Sequence, residues 1–237
     1  MTEFEAEEQE VVEEAGKPGF ALIFELEHVA LHSRELEFEV LKGLLADKER
    51  TLTPVDYSRF CTAGKVAEGL EQLLARLDAK RFSAAKLEDD FGSGMLMHFK
   101  TCASRENNGL QAMLDAATKH EMTCAAITGL KKDAEESVSA QLNLADRNTQ
   151  VFNHDSDDAV PRADAWLKVA KELETQPRNC FAVVTSGAAC KAALAAGMRV
   201  IAVPDAYTSF QDFGGAYELV DRLEDLKLDE LLDILPV

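Results

Sequence analysis

Phe20-Ala21-Leu22-Ile23-Phe24-Glu25-Leu26-Glu27-His28-Val29-Ala30-Leu31-His32-Ser33 is the stretch whose reading decides the fold. Residues 20–24 form an unbroken apolar run, the length of one buried strand. Glu25 and Glu27 follow it with one residue between them. In extended backbone, residues two apart point the same way, so the pattern predicts two carboxylates leaving the end of a buried strand on one side. In open α/β sheets that end is where ligands bind.

Outward from this stretch, the next segment reads as helix. Leu36, Val40, Leu41, Leu44 and Leu45 have helical spacing over 34–46, Thr53-Pro54 reads as a cap with proline in the first turn, and Val66, Leu70, Leu73, Leu74 and Leu77 mark a helix over 65–77. Residues 84–103 read as one or two helices, broken near Gly92 and Gly94. Roughly 70 residues of helix before the next strand is too long for a simple crossover and predicts an inserted helical domain.

Regular alternation follows: helix 109–119, strand 122–128, helix 134–142, strand 149–152, helix 163–173, strand 180–184, helix 188–196 and strand 199–203, with 219–235 closing mostly as helix. Such alternation predicts a parallel sheet with helices on both faces. The expected fold is therefore α/β: a Rossmann-like parallel core over 20–33 and 106–237, a small α-helical insert over 34–105, and an acidic, disordered arm over 1–19.

The 237 residues carry 25 Lys and Arg against 43 Asp and Glu, a formal charge of −18. That balance excludes nucleic acid and anionic membrane as partners, and disfavours free phosphorylated ligands unless a local positive pocket compensates. Seven glutamates between Glu3 and Glu14 are incompatible with a secretory signal; the arm is a candidate protein-binding segment. The five cysteines, Cys61, Cys102, Cys124, Cys180 and Cys190, are odd in number and widely spaced, which suits reduced thiols and a cytoplasmic location.

Four stations along the chain resemble the motifs of the haloacid dehalogenase-like hydrolase superfamily, in particular the phosphatase branch that includes beta-phosphoglucomutase. In the first, Phe24, Leu26, Val29 and Ser33 match, while Glu25 and Glu27 stand for the two aspartates of D-x-D-G and His28 for its glycine. The second is Cys124-Ala125-Ala126-Ile127-Thr128, where the Thr128 hydroxyl, the Gly129 N–H and the following helix N-terminus form an anion site with Lys131 just beyond. The third is Val160-Pro161-Arg162-Ala163-Asp164, with Val160 in the place of a lysine and Arg162 as its candidate substitute. The fourth is Val184-Thr185-Ser186, followed by Ala192-Ala193-Leu194-Ala195-Ala196-Gly197-Met198.

The resemblance implies a helical cap over 34–105 and roles for each station. The first acid attacks phosphorus and binds Mg²⁺, the second moves protons, the lysine offsets phosphoryl charge and the last acid holds the metal. Here Glu25 is longer by a methylene, and a shift of about 1 Å at the reacting atom costs about 10²-fold. Val160 removes the positive charge and Thr185 a metal-binding carboxylate. The expected function is a catalytically inactive ligand- or protein-binding pseudo-phosphatase. Glu25 and Glu27 keep the degenerate catalytic positions, and Thr128, Gly129, Lys131, Thr185 and Ser186 bind a small anion or phosphorylated metabolite without a cofactor. The alternative is a weak or specialised phosphatase or phosphoglucomutase-like enzyme with Mg²⁺ on Glu25. His28 and His32, with the two glutamates, are also candidate transition-metal ligands.

Overall fold

The computed structural model describes residues 19–79, 81–155 and 157–233, so the acidic arm up to residue 18 lies outside the described residues. Strand β1 (Ala21–Glu25) is buried along its whole length. Leu22 and Phe24 face one apolar cluster, Ala21 and Ile23 another on the opposite face. Because both faces are covered, the strand is continuously apolar rather than alternating.

From β1 the chain runs through α1 (Ser33–Ala46), α2 (Pro54–Cys61), α3 (Val66–Arg76), α4 (Ala84–Phe99) and α5 (Leu110–Lys119). It returns as β2 (Thr123–Thr128), then α6 (Lys132–Gln141), β3 (Thr149–Asn153), α7 (Ala163–Glu172), β4 (Cys180–Val184), α8 (Gly187–Ala195) and β5 (Arg199–Ala202). A two-residue β6 (Glu218–Leu219) and α9 (Leu228–Asp233) close the described chain. The sheet is parallel throughout, in the order β3-β2-β1-β4-β5-β6. Leu110, Met113 and Leu114 of α5, Val138 of α6 and Leu228 of α9 cover the Leu22–Phe24 face. Trp166 and Val169 of α7, with Ala189 and Ala193 of α8, cover the other.

Helices α1 to α4 have a core of their own, built on Phe38, Leu41, Leu45, Tyr57, Leu73 and Leu87. Thr53 caps α2 as its sequence implies, its hydroxyl accepting from the Asp56 N–H at 3.1 Å. Helix α4 spans both cores: Leu87 belongs to the helical one, Met95 and Phe99 to the one under the sheet.

Two expectations need correction. Helix α4 is continuous through Gly92 and Gly94. Each glycine costs about 1 kcal/mol of helix propensity, but Gly94 lies so close to α1 that a Cβ there would be 2.8 Å from Val40 Cγ1; close packing of the two helices outweighs the local preference. The described part of the segment 219–235, expected mostly as helix, is helical only in its later half. Leu219 pairs with Ala202 at the sheet edge, a 3₁₀ turn follows at Leu223–Asp225, and only Leu228–Asp233 is α-helical. Its apolar spacing comes from Leu223, Leu228 and Leu231 packing beneath the sheet. Among the described residues, no helix is long and apolar enough to cross a membrane.

Candidate active-site cleft

The strand order doubles back at β1, with β2 on one side and β4 on the other, and the cleft opens at the C-terminal ends of these strands. Beyond Glu25 the chain leaves the strand in a wide π-helical turn, Leu26–Ala30. The two-residue period therefore does not carry through to Glu27, and the carboxylates do not leave on one side as expected. Glu25 reaches towards β4: its Oε2 accepts from the Thr185 N–H at 2.8 Å and the Thr185 hydroxyl at 2.9 Å. Glu27 reaches towards β2: its Oε1 accepts from the Thr128 hydroxyl at 2.9 Å and the Gly129 N–H at 2.8 Å. Both glutamates line one cavity of about 610 Å³ between the sheet and the helical bundle.

The donors assigned to an external anion are thus engaged by the chain's own carboxylates. Thr128 and Gly129 hold Glu27, and Thr185 holds Glu25. Ser186 is fully buried and caps α8, accepting from the Ala189 N–H at 3.2 Å. Lys131 lines the cavity. Val160 is buried in the core against α7, and Arg162 is an exposed N-cap outside the cavity lining, so it does not replace the lysine. His28 lines the cavity while His32 is exposed away from it.

Sequence reasoning missed the cation at the centre of the site. Arg34, in the first turn of α1, is 3% exposed. Its Nη1 donates to the Thr185 hydroxyl and to Asp205 Oδ2, the latter at 2.9 Å. Asp205 follows β5 and is fixed by the Tyr207 N–H at 2.8 Å, while its own N–H donates to the Thr208 hydroxyl at 3.0 Å. Thr208 in turn donates to the Thr185 carbonyl at 2.6 Å. The available signal was an acid just past the strand after Thr185; nothing local marks Arg34, which sits among polar neighbours.

A second chain of bonds runs along α1. Tyr57 Oη donates to Glu37 Oε2 at 2.7 Å, and the Ser33 hydroxyl to Glu37 Oε1 at 3.0 Å. His28 Nδ1 lies 2.7 Å from Ser33 Oγ. Since the Ser33 hydrogen goes to Glu37, Nδ1 carries the hydrogen it gives to Ser33, and Nε2 is left as an acceptor. Burial, reinforced by the Arg34 charge, holds His28 well below the usual histidine range, so the ring is neutral. Burial pushes Glu27 up to about 7, and it raises Glu25 and Glu37 against the pull of Arg34.

Mg²⁺ requires near-octahedral oxygens, with one or two carboxylates free to coordinate. Here Glu25 Oε2 is saturated by Thr185, and the guanidinium of Arg34 lies against Thr185 and Asp205. Among the described residues, no group of three or more His, Cys, Asp or Glu is arranged to hold a metal. Glu25 Oε1 has no hydrogen-bond partner, but the Arg34 guanidinium already supplies a positive charge beside these carboxylates.

No protein-family model and no curated protein sequence matches the chain. Solved structures do. Beta-phosphoglucomutase from Clostridium difficile aligns with a TM-score of 0.72 at 17% identity, covering 91% of this chain and 96% of that one. CbbY from Rhodobacter sphaeroides, in complex with phosphate, gives 0.68 at 19%, covering 87% and 95%. A phosphonoacetaldehyde hydrolase-like protein from Oleispira antarctica gives 0.72 at 17%, covering 92% of each chain. The chain thus has the fold of the haloacid dehalogenase-like hydrolases.

Proposed function

We propose that this chain is a catalytically silent, ligand-binding protein on the haloacid dehalogenase-like hydrolase fold, its helical bundle over 34–105 acting as the cap that roofs the cleft. The observation that carries the reading is the buried Arg34 guanidinium, held by Thr185 and Asp205 beside Glu25. A guanidinium balances charge but has no empty orbital or exchangeable water to offer a phosphoryl oxygen. Glu27 further occupies the Thr128 and Gly129 donors, and Val160 leaves no lysine at the third station. What survives is a cleft within the size range of small-molecule sites. The five free cysteines support a reducing compartment, hence the cytoplasm.

The test is hydrolysis of a panel of small phosphate esters with and without millimolar Mg²⁺, beside the Glu25→Ala variant. The expected result is no turnover above that variant and no Mg²⁺-induced rise in melting temperature. Mg²⁺-dependent turnover that disappears in Glu25→Ala overturns the reading.

A further inference from the structure

The helical bundle joins the core through two adjacent chain crossings, one entering α1 after Leu31 and one returning from α4 through Glu106. The crossings are paired: Leu31 and Glu106 form an antiparallel bridge, and the Asn107 N–H donates to the Ala30 carbonyl at 2.8 Å. A domain tied along one such line can swing about it unless something holds it elsewhere. The turn between α2 and α3, Thr62-Ala63-Gly64-Lys65, lies in the middle of the bundle's sequence, far along the chain from both crossings.

Core residues grip this turn from two sides. After β3, the Asp157 carbonyl accepts from the Val66 N–H, and the Ala159 N–H donates to the Gly64 carbonyl, both at 2.9 Å. Lys65 and Asp158 thereby form an antiparallel bridge, and the Lys65 ammonium lies 3.3 Å from Asp155 and 3.1 Å from Asp158. Gly64 has φ +76°, which glycine adopts without steric cost, so the turn that presents its carbonyl is unstrained. After β5, Gln211 Oε1 accepts from the Gly187 N–H of α8 at 2.8 Å while its Nε2 donates to the Thr62 hydroxyl at 2.9 Å. That hydroxyl donates in turn to the Ser58 carbonyl of α2 at 2.7 Å. One side-chain amide thus ties the start of α8 to the end of α2. Earlier in the same loop, the Tyr207 ring lies against Phe38 and Tyr57 of the bundle, with centroids 5.4 and 5.1 Å away.

We propose that Thr62–Lys65 is a latch: held from both sides, it keeps the roof down over the cleft, and its release lets the roof swing on the paired crossings. The grip is partly ionic. Lys65 is 36% and Asp155 58% exposed, so salt screens their attraction, whereas the neutral contact between Gln211 and Thr62 does not respond to it. This rests on the reading of the bundle as the roof of the cleft, and it holds whether or not the cleft converts its occupant.

Cys61 reports the state of the latch. It immediately precedes the turn, lines the cavity and is half-buried, whereas the other four cysteines are buried. The test is alkylation of the full chain with a maleimide carried on a dextran too bulky for the cleft, with adducts counted on denaturing gels. Wild type is expected to gain one adduct slowly, and Cys61→Ser none. Gln211→Ala and Lys65→Met should each speed that single adduct about fivefold, and the two together about twentyfold. Raising NaCl to about 1 M should speed the wild type and leave Lys65→Met unchanged. Lys86→Met, which breaks a pair with Asp90 inside α4, is the control and should leave the rate unchanged. Rates unaltered in both latch variants, or raised equally by Lys86→Met, overturn the proposal. So does modification of all five cysteines together, which reports unfolding of the whole chain instead of a swing. The outcomes separate from those of the hydrolysis assay: ester turnover refutes silence without bearing on the latch, and unaltered labelling refutes the latch without restoring catalysis.

Discussion

At the scale of single residues, Arg34 decides what the cleft can be. Its 3% exposure places a permanent charge among groups that burial has stripped of water. Breaking a buried pair from one side costs about 3–5 kcal/mol, because the partner keeps its charge without compensation. Arg34→Met is therefore expected to lower unfolding free energy in urea by about 3 kcal/mol at pH 8. The loss should shrink as pH falls, because burial already raises Glu25 and removal of the guanidinium favours its protonated form further. Glu27 sets a second pH dependence. Its carboxyl titrates at about 7 when folded against an ordinary 4.5, so between these values the folded chain holds a proton that the unfolded chain has released. Stability falls as pH rises through that window, by roughly 3 kcal/mol when complete. Glu25 and Glu37 shift in the same direction, while Glu25, Lys131 and His28 line the cavity that Glu27 faces. Glu27→Gln should flatten the fall between pH 5 and 8 in urea titrations. None of this was legible from residue order. Arg34 meets Thr185 and Asp205 across 151 and 171 positions of chain, and no local pattern records such a meeting.

At the scale of elements, the strands were legible because burial on both faces leaves continuous apolar runs such as Cys180–Val184. Thr53-Pro54 was legible because capping is local chemistry. Where local preference and tertiary packing pull apart, sequence misled. Gly94 reads as a break but permits the approach of α1 to α4, and the apolar spacing after Leu219 reads as mostly helix but serves a strand, a turn and a short helix. The turn after β1 misled in the same way: Glu27 shares a strand period with Glu25 on paper but leaves it in the Leu26–Ala30 π turn. Gly69 shows how tightly the bundle is built. A Cβ on this α3 residue would lie 2.1 Å from the Phe60 carbonyl oxygen of α2. Gly69→Ala gains helix propensity yet forces the helices apart, and the expected net loss is about 2 kcal/mol, read as a lower thermal midpoint.

At the scale of the molecule, the two halves of the cleft are fastened by one element. Phe99 and Met95 of α4 are sunk into the layer under the sheet, while Leu87, earlier on the same rod, anchors the bundle. Swinging the roof away would expose both side chains to water, at about 1.5–3 kcal/mol each. A free-energy gap of about 3 kcal/mol or more leaves under about one per cent of molecules open at any moment. Of the charged residues that line the chamber, Asp89, Lys131, Asp133 and Asp157 stand exposed to solvent. A roof fastened in this way lifts rarely, and a visitor to the chamber meets three exposed acids and one exposed base on its rim residues.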